Sequence, residues 1–227
     1  MANPTTLSAD DRARVSAAVS QAEERTAGEI VTILADRSDG YTDVALAWAA
    51  FASFCALLAL AVAPDFYLGL YESIAGGWIH HWPPGAVFTV AALVALVKFA
   101  GVMLMQLWQP LKFFLIPPPV RTARVHDRAL RAFRIGAERR THGRTGILIY
   151  LSMREHRAEI VADEAITSKV DPGVWGDAMA AMLAELKRGR TADAMIAAVE
   201  KVSVVLAEHF PRGSDDVNEL PDRLIEV

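Results

Sequence analysis

Two long apolar stretches, Tyr41 to Ala63 and Gly85 to Trp108, divide a chain whose other segments alternate between apolar and polar positions. About 20 mainly apolar residues carry a helix across the hydrocarbon core of a bilayer. Both stretches reach that length, so they predict a transmembrane hairpin. Two buried helices of a large soluble core are the competing reading, but apolar runs this long are uncommon in soluble helices.

The flanking segments carry shorter periods. Val15, Val19 and Ala22 repeat at helical spacing behind Ser8 and Asp11, which resemble a capping box. Thr26, Ala27 and Gly28 should end that helix, Gly28 in the left-handed conformation that glycine favours. Glu29 to Ala35 (EIVTILA) is β-branched and mostly apolar, as in a buried strand. Beyond the hairpin, Pro117, Pro118 and Pro119 halt the second apolar helix or its extension. A polar helix is then expected over Arg121–Arg140, with Val125, Leu130, Phe133 and Ala137 on one side, broken by His142 and Gly143. Ile147 to Ser152 reads as a buried strand, Met153 to His156 as a turn and Arg157 to Ala162 as a half-buried strand.

Two amphipathic helices follow. Asp171 and Pro172 open the first, Trp175, Met179, Met182 and Leu186 form its stripe, and Gly189 ends it. Thr191 is expected to cap the second, whose stripe is Met195, Val199, Val202, Leu206 and Phe210. The remaining residues, 212–227, are acidic and read as a flexible tail.

The expected architecture is a small mixed β-sheet flanked by helices, an α/β fold interrupted by the hairpin. Its parts are 1–40, a helix plus a strand; 41–116, the hairpin with a short outer loop; 117–211, the rest of the domain; and 212–227, the tail. An isolated strand is unstable. The Glu29–Ala35 strand should therefore pair with strands beyond the hairpin, bringing the ends of the insertion near Asp39 and Pro119 together. Ala22–Gly28 (AEERTAG) is echoed by Ala137–Gly143 (AERRTHG) before another strand; shared helix-stop grammar explains this more simply than duplication.

Charge adds direction. The loop from Pro64 to Pro84 holds Asp65 and Glu72 but no Lys or Arg, whereas Arg12, Arg14, Arg25 and Arg37 precede the hairpin. Lys112, Arg121, Arg124, Arg128, Arg131 and Arg134 follow it. The positive-inside rule then puts both termini in the cytoplasm and the short loop outside. Trp78, Trp82, Trp108, Tyr67 and Tyr71 fall near the expected membrane boundaries, and the arginine cluster would meet anionic headgroups. The chain is 53% hydrophobic yet 22% charged, which fits a composite of membrane and soluble parts. Its net charge of −4 argues against nucleic acid as a partner. The single cysteine, Cys55, excludes an intrachain disulfide and a Cys-rich zinc site.

Candidate chemistry is sparse. Asp163 and Glu164 form an acidic pair at a strand exit, and Glu29 and Asp36 lie on the strand expected beside it. Such carboxylates suit Ca²⁺ or Mg²⁺, which take oxygen ligands, although no DxDxDG loop accompanies them and a solvated strand end is the simpler reading. His126, His142 and His156 match no zinc spacing and read as surface histidines. No GxSxG elbow, Walker loop or dinucleotide fingerprint occurs. Lys98 is anomalous: a cation well inside an apolar helix costs about 2.5–3.5 kcal/mol on the insertion scale. It either snorkels or makes a polar contact within the membrane, with Ser53 as a neutral neighbour and a partner helix or self-association as the source of a counter-charge.

The order helix, GEIVTILA, TGILIYLSMREHRAEIVADEAI and VWGDAMAAMLAELKRGRTADAMIAAVEKV resembles the TPM domain family, named for thylakoid proteins of photosystem II repair and their relatives. The resemblance is to a bacterial subgroup with a transmembrane pair inserted after the first strand. It implies an α/β sandwich and either of two roles: a divalent-cation-dependent acid phosphatase, or an assembly, repair or quality-control factor that binds other membrane proteins. Many members carry a Gly-rich turn of the GYGLEG type after the second hairpin strand. Here Ala162-Asp163-Glu164-Ala165-Ile166 stands instead, without the backbone freedom to approach a phosphate closely, which argues against inherited phosphatase chemistry.

Overall fold

A computed structural model of the chain describes residues 7–75, 82–136, 145–213 and 219–227. Trp78, His142, the end of the helix expected to reach Arg140 and the echo at 137–143 lie outside the described residues. Two compact units emerge: residues 1–39 with 118–227, and residues 40–117.

The first unit is built on a four-stranded mixed sheet. Helix α1 (Ala9–Glu23) precedes strand β1 (Glu29–Ala35). Ser8 caps α1, its Oγ accepting from the Asp11 amide at 3.0 Å. Beyond the insertion come α6 (Pro118–Gly136), β2 (Gly146–Ser152), β3 (Arg157–Ala162), the single turn α7 (Glu164–Thr167), α8 (Trp175–Leu186), α9 (Thr191–His209) and β4 (Ile225–Glu226). The sheet order is β3-β2-β1-β4. β1 runs parallel to β2 through seven residue pairs, from Glu29 opposite Gly146 to Ala35 opposite Ser152. β2 and β3 form the expected antiparallel hairpin. The strand before the insertion thus gains its partner from the chain after it, as strand pairing requires.

Alternation along the strands sorts two cores. Ile30, Leu34, Ile147, Ile149 and Leu151 pack with Val15 and Val19 of α1, Met182 of α8, and Met195, Val199, Val202 and Leu206 of α9. Val31, Ile33, Leu148 and Tyr150 point the other way, to Val125, Ala129 and Phe133 of α6. Both faces of β1 and β2 are therefore covered, which accounts for their near-continuous apolar sequences.

Several local expectations change. The prolines also start a helix: Pro118 is the first residue of α6, where its missing N–H costs nothing. Thr191 is the first residue of α9, while Arg190 holds the cap position with no side-chain cap bond. Gly28 does not take the left-handed conformation; among described glycines only Gly189 does, at φ +75°. Gly28 is needed for space instead, since a Cβ there would sit 2.9 Å from Leu206 Cδ1.

The terminal segment corrects the expectation of a flexible tail over residues 219–227. Val227 donates to Leu34 O at 3.0 Å and accepts from the Asp36 amide at 2.9 Å, extending the sheet as β4. Leu220 and Leu224 are buried. The physical cause is the open edge of β1: a strand buried on both faces cannot leave its amides unpaired.

The second unit contains α2 (Thr42–Val62), α3 (Pro64–Ala75), α4 (Pro84–Met105) and α5 (Gln109–Leu115). α2 and α4 are long and apolar enough to cross a membrane. They pack together where α2 presents small residues: Ala45 and Ala49 are buried, and the Ser53 hydroxyl is shared between Ala49 O and Ala95 O, each at 3.0 Å. Small residues at four-residue spacing let helix backbones approach closely. Their other faces are bare: Phe51, Phe54, Val62, Phe88, Leu96 and Val97 are all exposed. α3 was not foreseen in the loop between the apolar runs.

Candidate functional site

β1 and β2 run parallel, so their ends define two edges of the domain. Ligands of open α/β sheets bind at the carboxyl ends of parallel strands.

At the amino end stand the residues singled out as metal ligands. Glu29 opens β1 and is buried, with Oε1 and Oε2 accepting from the Glu219 and Leu220 amides at 3.2 Å each. Its carboxylate ties the terminal segment to the sheet. Asp163 follows β3, is buried, and donates its amide to Gly146 O at 2.9 Å. Glu29 and Asp163 thus flank β2 from opposite sides, two strand spacings or roughly 10 Å apart along the backbone. Glu164 opens α7 and is exposed. Asp36 lies at the opposite end of β1, bound through both carboxylate oxygens by Arg154 Nε at 3.0 and 2.9 Å. The four carboxylates do not converge. Among the described residues no group of three or more His, Cys, Asp or Glu is arranged to hold a metal ion.

Glu23, unremarked in the sequence, completes this edge. Its Oε1 accepts from the Ile30 amide at 2.8 Å. Burial, with added repulsion from Glu29 and Asp222, pushes its carboxyl up to about 9, although the Ile30 amide pulls the other way. It is therefore protonated at neutral pH.

The carboxyl end carries a denser constellation. Glu155, in the turn between β2 and β3, is 2% exposed. Its Oε1 accepts from the Ser38 amide at 2.9 Å and its Oε2 from Ser152 Oγ at 2.5 Å. Ser38 Oγ lies 3.1 Å from both Ser152 Oγ and Tyr150 Oη. Burial raises the Tyr150 phenol, opposed by Ser38 and Arg128. Arg124 pairs with Asp39 at 3.2 Å. Asp39 ends the segment before the insertion and α6 begins after it, so this pair joins the two flanks of the insertion within one unit.

This end is the candidate site, and the sequence reading missed it. Ser38 is 112 to 117 residues of chain away from Tyr150, Ser152 and Glu155, which are close neighbours in sequence, and only the parallel pairing of β1 with β2 brings it to them. The available signal was that one polar residue, Ser152, ends an otherwise apolar strand. Chemically the cluster is a closed hydrogen-bond relay around one carboxylate, bordered by the Arg154–Asp36 and Arg124–Asp39 pairs. It holds geometry, and no hydroxyl in it is presented with a free base.

His126 and His156 lie at the surface. His126 Nδ1 lies 3.4 Å from Glu159 Oε2 on the sheet surface. His156 is exposed at the hairpin tip, with φ 51°. In the second unit, Lys98 lines an open apolar groove of about 750 Å³ with Cys55 and Ala56 of α2 and Tyr67 and Tyr71 of α3. Ser53 is committed to the two helix carbonyls above and does not answer that charge.

Residues 119–205, from α6 through most of α9, match the family model described as the TPM domain. No curated protein matches the chain. Among solved structures, the chain is similar to the NMR structure of BA42 protein from the psychrophilic bacterium Bizionia argentinensis, with 18% identity and a TM-score of 0.57. That likeness covers 97% of this chain and 95% of the other, and at such identity it speaks for fold alone. The match places a TPM-like segment over residues 119–205, and the four-stranded mixed sheet with its flanking helices is the α/β fold in which that segment sits.

Proposed function

We propose that this is an integral protein of the bacterial inner membrane whose TPM domain faces the cytoplasm and binds other membrane proteins in assembly or quality control. The carrying observation is a pair of 21- and 22-residue apolar helices with little of their surface buried, inserted inside one α/β unit rather than appended to it. A hairpin joined to the domain at both ends holds it at the bilayer surface. The basic residues on both flanks and their absence from the 64–84 loop favour cytoplasmic termini.

A binding role is favoured over catalysis by the use made of the domain's carboxylates. Glu23, Glu29, Asp36 and Glu155 each accept hydrogen bonds from their own fold. They serve as internal ties.

The test is crosslinking in intact membranes followed by purification of the full chain and identification of its partners. Specific enrichment of a membrane protein is expected, and it should survive replacement of the hairpin by an unrelated one that keeps the domain at the membrane. No enrichment, together with a Mg²⁺- or Ca²⁺-dependent phosphatase activity abolished by Asp163→Ala, would replace this reading with a membrane-anchored phosphatase.

A further inference from the structure

The groove in the second unit has a chemistry of its own. Its walls come from Ala52, Cys55, Ala56, Ala59 and Leu60 of α2, from α3, and from Val90, Val94, Lys98 and Val102 of α4. Among these lining side chains only Lys98 carries a charge. From Val90 to Val102 the groove follows about 18 Å of helix. Its volume of about 750 Å³ falls in the range of small-molecule sites, about 300–1,000 Å³.

Lys98 decides the occupant. It lies 14 residues from the start of α4 and 7 from its end, about 21 and 10 Å along the axis. No described residue makes an ion pair or hydrogen bond with its ammonium. Within the two long helices a second copy supplies no match: the one acid in α2 is Asp43 in its first turn and α4 has none, while the acids of α3, Asp65 and Glu72, lie outside those helices and Glu72 accepts from Trp82 Nε1 at 2.7 Å. Two copies packed groove to groove would oppose lysine with lysine. A neutral lipid tail would fill the walls and leave the cation without a counter-charge in apolar surroundings, which is costly. A molecule with one long hydrocarbon chain and one anionic end satisfies walls and charge together.

We propose that the groove between α2, α3 and α4 binds an anionic acyl amphiphile, its chain along the apolar walls and its carboxylate or phosphate on Lys98. This deepens the membrane reading above, since the bilayer is where such molecules are concentrated. Binding is nevertheless a property of the groove and is tested separately from membrane insertion.

Cys55 supplies the probe, because it is the chain's one cysteine, is exposed, and lines the groove. The full chain in neutral detergent is treated with N-ethylmaleimide in the presence of palmitate, phosphatidic acid or hexadecanol. Palmitate or phosphatidic acid should slow Cys55 alkylation saturably, and the neutral alcohol should not. Protection by palmitate alone marks a free fatty acid as the ligand, and protection by phosphatidic acid alone marks a headgroup. Lys98→Leu should weaken the protecting ligand about tenfold, the equivalent of about 1.4 kcal/mol, and Lys98→Arg should retain it. Ala56→Phe, which fills the wall, should abolish it with Lys98 intact. The proposal fails if no anion protects, if hexadecanol protects as well, or if Lys98→Leu matches wild type. Carbonate extraction run in parallel reads membrane insertion independently, so failure of one reading is distinguishable from failure of the other.

Discussion

The two units spend the same residue types in opposite ways. In the α/β unit, apolar side chains of β1 and β2 are enclosed by α1, α8 and α9 on one face and by α6 on the other. In the helical unit, Phe51, Phe54, Phe88, Leu96 and Val97 are presented outward. Hydrophobic burial stabilises a fold in proportion to the apolar area withdrawn from water. The first unit is withdrawn by its own chain. The second leaves exposed an amount of apolar surface that a water-soluble unit rarely carries. The difference separates a domain that is stabilised by its own packing from a hairpin that depends on what surrounds it.

One pair of substitutions strikes directly at that distinction. Ile149→Asp puts a charge where the side chain is 0% exposed. It should cost the α/β unit more than about 4 kcal/mol and leave it unfolded, read by circular dichroism and limited proteolysis. Phe54→Asp, on a side chain 66% exposed, should leave the domain's melting unchanged. Instead it should weaken membrane insertion by about 2.5–3.5 kcal/mol, read by carbonate extraction. Equal loss of domain structure in both variants would erase the contrast between the units.

Within the α/β unit, a finer contrast lies between the two ends of the parallel strand pair. At the carboxyl end, Glu155→Ala removes the acceptor for the Ser38 amide and the Ser152 hydroxyl. Buried donors without partners cost about 1–3 kcal/mol, so a loss of that size is expected in urea denaturation, with Glu155→Gln between wild type and alanine. A neutral result for Glu155→Ala would mean that the relay contributes nothing to holding this edge.

The amino end should instead show itself through pH. Glu23 has its folded-state value raised to about 9 from an ordinary 4.5. The native state keeps a proton that the unfolded chain has released, so this group's contribution is full below pH 4.5 and is lost as pH rises towards 9. Glu23→Gln keeps an acceptor for the Ile30 amide and removes the titration. The variant should match wild type near pH 4.5 and exceed it by more than about 1 kcal/mol at pH 8, since each unit of displacement is worth about 1.4 kcal/mol. Parallel pH–stability curves for the two proteins would show that Glu23 titrates normally.

Legibility followed the range of the interactions. The helix and strand periods, the β2–β3 hairpin and the pairing of β1 with a strand beyond the insertion were readable because each follows from local spacing or from the instability of a lone strand; that the partner is β2, and parallel, was not. The terminal strand was not, because acidic residues at 215, 216, 219 and 222 outweighed the signal of Leu220, Leu224 and Ile225, and the open edge of β1 exists only after folding. Glu29 reads in sequence as an acid that suits either a cation or a solvated strand end, whereas in the fold its carboxylate accepts from the Glu219 and Leu220 amides, 190 and 191 residues away. Side-chain type was visible in the sequence, but the partner that determines its use was fixed by topology.

Gly28 is the smallest and most local case of that rule. Its sequence context, after a helix and before a strand, points to backbone freedom, and a left-handed glycine would make Gly28→Ala strained whatever the surrounding space. Its backbone is not left-handed, and the limit is Leu206 of α9, 2.9 and 3.3 Å from an added Cβ. The clash is with the end of a flexible side chain, which can turn away at the cost of some packing. Gly28→Ala should therefore destabilise the unit by about 1 kcal/mol, at the mild end of overpacking. Shortening the neighbour gives the decisive control. In a Leu206→Ala background the same substitution should cost much less, because its closest contacts are gone and, of the three nearest atoms, only Thr26 Oγ1, 3.3 Å from the added Cβ, remains, whereas a backbone cause would leave its effect undiminished. Urea denaturation of the two single variants and the double variant measures that coupling.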